Sequence, residues 1–322
     1  MTSPTTFSTA DLRPWKGNLH SHSTLSDGSV EPAESIGRYR RRGYDFCALS
    51  DHERFFDSMK FDSDKFLVLP AIESAVEEPK DGYKGHHLNG ILGTPAQRAA
   101  ATAPFAHGQY VPKLEWRSPA TVQHAIDRLN AAGLMAMYNH PVWSRLEVAD
   151  ILNVRGIFAI EIFNYGSEIG DATGLSTDVW DLALRRGRRV FGLATDDSHH
   201  GGSMDSPYYD AFGGWVVVVA DRLSRDAITT ALHSGTFYSS SGPEIHRFAC
   251  DGHTVEVECS PVREVRFVSY ERRGSVTLAA QGQTVTGGKH TLKGNEVFVR
   301  VECVDDAGRT AWTNPVFLDD AR

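Results

Sequence analysis

Residues of one chemical kind recur at the ends of successive apolar runs in this chain, and that recurrence constrains its fold more than any other feature. Leu19-His20-Ser21-His22 closes the first run, Phe46 to Leu49 leads into Ser50-Asp51-His52, Phe66 to Ile72 ends on Glu73, and His87 opens a short run to Gly93. Further on, Leu134 to Asn139 ends on His140, Gly156 to Asn164 ends on an acid, Glu161, and an amide, and Arg189 to Thr195 leads into Asp196-Asp197-Ser198-His199. Successive side chains on a strand point to opposite faces, so His20 and His22 share one face. Helical patterns lie between the runs. Pro32 to Arg42 has proline near its start and Gly43 just past its end, and Pro119 to Ala132 carries Val122, Ile126 and Leu129 on one side; Thr177 to Arg186 and Ser224 to Ser234 complete the series. Strands alternating with helices imply a parallel sheet, and in a closed barrel the reactive groups collect at the C-terminal rim. About seven such units between residues 14 and 242 predict an α/β fold, a distorted (β/α)7 TIM-like barrel.

The pattern changes from Pro243 onward. His253 to Cys259, Glu264 to Tyr270, Glu296 to Cys303 and Ala311 to Phe317 alternate with period two between Gly- and Asp-containing turns, which predicts a small antiparallel β-sandwich over 243–322. Residues 1–13 read as a loosely attached tail and 14–242 as the barrel. The stretch 94–117, rich in Ala, Pro and Gly, is a long connection of the kind that serves as a lid.

With 322 residues the chain can bury a large core, and its net charge of −8 argues against a nucleic-acid surface, which rests on clustered Lys and Arg. The Arg-rich patches 38–42 and 185–189 read as solvated helix ends, where cations favour the helix dipole. No apolar run reaches membrane-spanning length, and the Thr/Ser-rich start lacks the basic and apolar parts of a secretory leader, so a cytoplasmic protein with no membrane partner is expected. Cys47, Cys250, Cys259 and Cys303 form no Cys-x-x-Cys pair and are expected as reduced, buried thiols.

The candidate ligands are His20, His22, Asp27, His52, Glu73, His87, His140, Asp197 and His199. Nine exceed what one tetrahedral ion uses, whereas three or four per ion accommodate two or three divalent ions. Imidazole and carboxylate without thiolate suit zinc, manganese or iron. A carboxylate can bridge two ions, with Glu73 or Asp197 as the candidates, and ions about 3.5–4 Å apart can activate a water and hold a leaving oxygen. His86 and Asp196 are the neighbours that compete with His87 and Asp197 for these roles; His87 opens the apolar run, and Asp197 lies two residues from His199 and shares its face. Asp51 and Asp196 are then expected to orient a ligating imidazole or to act as a general base.

Together, His20-Ser-His22 with Ser26-Asp27-Gly28, Ser50-Asp51-His52, Glu73, His87-Leu, His140-Pro141 and Asp197-Ser-His199 resemble the PHP (polymerase and histidinol phosphatase) metallohydrolases, in the branch similar to carbaryl hydrolase. The resemblance spans about residues 15 to 242, and the Ala311-Trp312-Thr-Asn-Pro315 segment looks like a C-terminal extension of that branch. It implies a distorted (β/α)7 barrel, a two- or three-metal site and phosphoester hydrolysis. Asp27 stands where some members carry histidine, and Ser50 where threonine is usual.

The function expected is a hydrolase of a small phosphomonoester or phosphodiester in which a metal-bound hydroxide attacks. Arg54, Arg145 or Lys84 are candidates to bind outer phosphate oxygens, and Trp143 and Asn164 to line the substrate site. The same metals would polarise the carbonyl of a carboxylic ester, amide or carbamate, and Trp116, Trp143 and Tyr165 near rim loops would suit an aromatic substrate of that kind. A non-catalytic, metal-stabilised scaffold is the third reading. The chain has no Gly-x-Ser-x-Gly elbow, no P-loop, no Gly-x-Gly-x-x-Gly, and no second histidine at zincin spacing after His52-Glu53.

Overall fold

The structure is a computed structural model that describes residues 6–57, 59–79, 84–270 and 272–318. Its strands are β1 (Phe7–Ser8), β2 (Arg13–Asn18), β3 (Phe46–Leu49), β4 (Leu67–Glu77), β5 (Gly85–Leu92), β6 (Leu134–Tyr138), β7 (Ile157–Asn164), β8 (Phe191–Thr195), β9 (Trp215–Ala220) and β10 (Phe237–Ser240). They continue as β11 (Ile245–Cys250), β12 (Thr254–Val262), β13 (Glu264–Ser269), β14 (Ser275–Leu278), β15 (Val285–Thr291), β16 (Phe298–Val304), β17 (Thr310–Thr313) and β18 (Val316–Phe317). The helices are α1 (Pro32–Arg41), α2 (Pro95–Ala99), α3 (Ala120–Ala131), α4 (Val148–Asn153), α5 (Tyr165–Asp171), α6 (Thr177–Arg185) and α7 (Arg225–Ser234). Of these, α1, α3, α6 and α7 match the sequence pattern, and Gly43 follows α1 at a φ of 76°. The short α2, α4 and α5 lie in stretches without amphipathic signal.

A large mixed sheet runs β9-β2-β3-β4-β5-β6-β7-β8 and continues from β9 through β10 to β17, β16, β13 and β14; a separate antiparallel sheet has the order β1-β11-β12-β15. The pairs β2/β3, β3/β4, β6/β7 and β7/β8 are parallel, as expected. β5 departs from that expectation, lying antiparallel to both β4 and β6. The reason is length: only residues 78–84 separate β4 from β5, and a parallel crossover needs about a dozen or more.

Beyond their C-terminal ends β8 and β2 join. The amide of Asp196 donates to Asn18 Oδ1 at 2.9 Å, that of Asp197 to the His20 carbonyl at 3.0 Å, and that of His22 to the Ser198 carbonyl at 2.8 Å. Further back along its length β8 meets β10 through the Ser239 hydroxyl, which accepts from Ala194 N at 3.0 Å and donates to the Gly192 carbonyl at 2.8 Å.

Period-two alternation sorts the strand residues into two cores. Leu19, Phe46, Ala48, Leu69, Met135, Met137, Ala159, Leu193, Val216 and Val218 pack together in one core. Their neighbours face outward: Leu134, Ala136 and Tyr138 pack with Val122, Ile126 and Leu129 of α3, and Cys47 and Leu49 with Ile36 and Tyr39 of α1. Each large apolar side chain so buried stabilises the fold by about 1.5–3 kcal/mol. Gly17 leaves room for Phe46, since a Cβ there would lie 2.1 Å from its ring.

The N-terminal stretch is less loose than expected. Phe7–Ser8 pairs with β11, and Phe7 is buried among Tyr238, Phe248 and other residues of the C-terminal core; residues 1–5 lie outside the described residues. The expected C-terminal strands form two facing leaves, one of which continues the large sheet through the antiparallel pair β10/β17. Among the described residues, no helix is long and apolar enough to cross a membrane.

Candidate metal centre

The nine residues read as ligands come together from β2, β3, β4, β5, β6 and β8 or the loops that follow them. His20 and His22 follow β2, His52 follows β3, Glu73 lies within β4, His87 within β5, His140 follows β6, and Asp197 and His199 follow β8. Several occupy strained backbone. His140 and Asp197 have φ values of 24° and 55°, and Glu53 beside His52 has 52°. Non-glycine residues rarely adopt this region, and where they do the surrounding structure holds them for function.

Three overlapping groups of donor atoms form. In the first, His22 Nε2 lies 2.9 Å from Asp197 Oδ1, His20 Nε2 lies 3.1 Å from the same oxygen, and both nitrogens lie 3.2 Å from Glu73 Oε2 and from each other. In the second, the other oxygen of Glu73, Oε1, is 3.1 Å from His87 Nδ1 and His52 Nδ1 is 3.3 Å from Oε2; His140 belongs to none of the three groups, its Nε2 lying 3.7 Å from Glu73 Oε1. In the third, Asp27 reaches His52 Nε2 and His199 Nε2, each at 3.5 Å, and His22 Nδ1 at 3.6 Å. The first group is sealed, with His20, His22 and Glu73 buried; the third opens to solvent, where Asp27 is the most exposed of the nine.

These residues fit a metal centre. Tetrahedral ligands about 2.0–2.2 Å from an ion stand about 3.3–3.6 Å apart, and in the first group the two imidazole nitrogens lie within a few tenths of that spacing from each other and from both carboxylate oxygens. His52 Nδ1 is buried without a hydrogen-bond partner, an orphan that a coordinate bond would satisfy. No cysteine is near the cluster among the described residues, so the donor set is imidazole and carboxylate.

The electrostatics show a demand for positive charge. Burial works to lower the His20 pKa, yet Asp197, Glu73 and Glu161 raise it well above its ordinary value; by the same contest His22 is pushed up to about 10 and His87 to about 9. Burial works to raise Glu73 and Asp197, and the surrounding imidazoles hold both carboxyls well below their usual range. Without an ion, the site must take up protons to balance its carboxylates.

A carboxylate absent from the expected ligand set anchors this arrangement. Glu161 in β7 is fully buried and accepts from His20 Nδ1 at 2.9 Å, from the His140 amide at 2.7 Å, from Asn164 Nδ2 at 2.8 Å and from the Thr195 hydroxyl. It thereby fixes which nitrogen of His20 faces the cluster. Its signal was its place at the end of an apolar run. Asn139 does similar work, donating to Glu73 Oε1 at 2.7 Å, and Glu77 meets the far nitrogen of His87 at 3.1 Å.

The structure corrects the roles expected of Asp51 and Asp196. Asp51 accepts from the Ser23 amide at 2.7 Å and from the Ser23 and Ser26 hydroxyls, each at 2.8 Å, so it ties down the loop that carries Asp27 and orients no imidazole directly. Asp196 accepts from the amides of Phe212, Gly213 and Gly214 and from the Tyr39 hydroxyl. Burial first of all pushes its carboxyl up to about 7. It is a loop anchor, its two oxygens occupied by the 212–214 amides and by Tyr39.

His86 points to the outer side, bonded to the Tyr138 hydroxyl and to Glu78 and stacked on Trp116, which settles the site face in favour of His87 and takes Trp116 away from the rim. Asn164 donates to Asp197 Oδ2 at 3.1 Å as well as to Glu161, so it positions a ligand and is not free to bind substrate. Arg54 is exposed over the Tyr110 ring, Lys84 is held by Asp150, and Arg145 is exposed at a φ of 59°. Trp143 stands at the mouth, its ring centroid 4.7 Å from that of His140 and 5.6 Å from that of His87.

No family model matches the chain, and no curated protein matches it. Among solved structures, the chain is similar to a two-domain protein of Bacteroides vulgatus containing a predicted PHP-like metal-dependent phosphoesterase, at 15% identity over 91% of each chain with a TM-score of 0.49. It is similar to an amidohydrolase of Chromobacterium violaceum with bound sulfate and no metal, at 18% identity over 61% of this chain and 93% of the other, with a TM-score of 0.41. A third likeness, to a protein of Bifidobacterium adolescentis described as a metal-dependent phosphoesterase, has 14% identity over 59% and 90% of the two chains and a TM-score of 0.38. At these scores the likeness leaves function to the geometry of the site.

Proposed function

We propose that the protein is a metal-dependent hydrolase, and within that class a PHP-type phosphoesterase acting on a small phosphomonoester or phosphodiester. The observation that carries this is Glu73, whose Oε2 meets His20, His22 and His52 while its Oε1 meets His87 and His140. A carboxylate shared in this way is suited to bridge two ions, with Asp27, His52 and His199 available for a third. Zinc, manganese or iron would suit the donors. Bound there, such ions supply charge to neutralise phosphoryl oxygens and lower the pKa of a water. The chain's own part is to hold the ligands: Glu161 and Asn139 orient His20 and Glu73, and Asp51 secures the loop of Asp27. The guanidiniums of Arg54 and Arg145 are exposed, and in this reading they would meet outer phosphate oxygens. The join of β8 to β2 supports a distorted seven-stranded barrel over 14–242, with 243–322 as a separate β-rich unit.

Metal analysis of the purified protein, with turnover measured on matched phosphate and carboxylate esters, tests the reading. Two or three ions per chain and hydrolysis of phosphate esters are expected, and Asp197→Asn should abolish turnover in a folded protein. Fewer than one ion at saturating metal, or turnover of carboxylate esters or carbamates alone, would overturn it.

A further inference from the structure

The mouth of the site carries an aromatic wall that ligand holding does not use. Trp143 is 42% exposed, yet its ring sits edge-on to both His140 and His87, at interplanar angles of 80° and 64°. The turn that presents it is rigid. Ser144, nearly buried, bonds His140 Nδ1 at 3.0 Å through its hydroxyl and accepts from the Gly85 amide at 3.3 Å through its carbonyl; the Val142 amide donates to Ser176 Oγ at 3.2 Å, and Leu146 is buried beneath. An exposed indole held this firmly costs little entropy on binding and offers a large flat surface.

Leu25, in the loop that also carries Asp27, is exposed as well. The floor of the site is polar, and Trp143 lies against it. A phosphoryl group placed against the His/Asp/Glu floor would send its ester substituent out past Trp143.

We infer that Trp143 is a specificity-determining residue that receives a planar aromatic ring on the alcohol part of the substrate, so that the substrate class is an aryl-bearing phosphate ester. The inference rests on the phosphoesterase reading. An aromatic pair adds a preference of about two- to tenfold over an aliphatic group of equal size.

The test compares benzyl phosphate with cyclohexylmethyl phosphate, which have equal carbon number and similar leaving alcohols, together with the two corresponding phosphonates as non-hydrolysed ligands measured by calorimetry on the metal-loaded protein. Wild type should bind benzylphosphonate about two- to tenfold more tightly and show the same ratio in kcat/KM, carried in KM. Trp143→Ala should bring both ratios to about one in a protein that remains folded and metal-loaded, and Trp143→Phe should keep most of the preference. A wild-type ratio of one, or an unchanged ratio in Trp143→Ala, overturns the inference while leaving the phosphoesterase reading intact. Absence of binding and of turnover for both compounds overturns the two together.

Discussion

Replacing Glu161 with glutamine keeps the shape of a buried side chain and alters its pattern of donors and acceptors. In the structure both Glu161 oxygens accept: Oε1 from His20 Nδ1 and the Thr195 hydroxyl, Oε2 from the His140 amide and Asn164 Nδ2. Glutamine has one oxygen, so whichever way the amide turns, its NH2 faces two donors. If it faces His140 and Asn164, two buried donors lose their acceptor, at about 1–3 kcal/mol each. If it faces His20, the imidazole can accept at Nδ1 only by moving its proton to Nε2, the atom aimed at Glu73 and Asp197. In either case the ligand set is poorly prepared. Loss of a carboxylate behind a ligating histidine costs about 10- to 100-fold in metal affinity, or about 1.4–2.7 kcal/mol. Competition against a chelator, followed by calorimetry, should give this drop for Glu161→Gln, and the metal-free protein should melt at a lower temperature. Metal affinity within twofold of wild type would refute the role assigned to Glu161.

The two adjacent histidines of β5 should separate cleanly. His87→Ala should lose bound metal and turnover, whereas His86→Ala, on the outer side, should keep its metal content while losing stability through the unpaired Tyr138 hydroxyl and Glu78; elemental analysis and thermal melts check both. Gly17→Ala should destabilise the fold by about 1–3 kcal/mol, because its Cβ would meet the Phe46 ring at 2.1 Å and force the interior to shift; denaturant unfolding reads this directly. Removing metal with a chelator should lower the melting temperature reversibly, since each site at a 100-fold excess over its Kd adds about 2.7 kcal/mol. An unchanged melt would mean that the cluster takes up no ion.

That these side chains would meet was legible because most of them sit at the end or start of an apolar run, and a spacing of two residues paired His20 with His22 and Asp197 with His199. The roles of Asp51 and Asp196 were not legible, because the amides and hydroxyls that occupy them come from loops distant in the chain. Glu161 stood in a comparable strand-end position, but a carboxylate that serves a ligand looks the same in sequence as one that is a ligand. The antiparallel β5 was readable from the short span between Glu77 and Gly85, had loop length been weighed with pattern. What pattern does not show is partnership over long range. The pairing of Phe7 with Phe248, or of Ser239 with Trp312, depends on packing between segments distant in the chain.

The pairing of β10 with β17 bears on how this protein would be cut down. Tyr238, Ser239 and Ser240 have their outer backbone groups occupied by Ala311, Trp312 and Thr313, and Val217, Val219 and Tyr238 bury their side chains among Phe248, Val257 and Val301. A chain ended at residue 242 would therefore present an open strand edge beside a bare apolar patch, the combination that seeds aggregation. The C-terminal strands cover that edge and that patch, and a shortened chain would need other cover in their place.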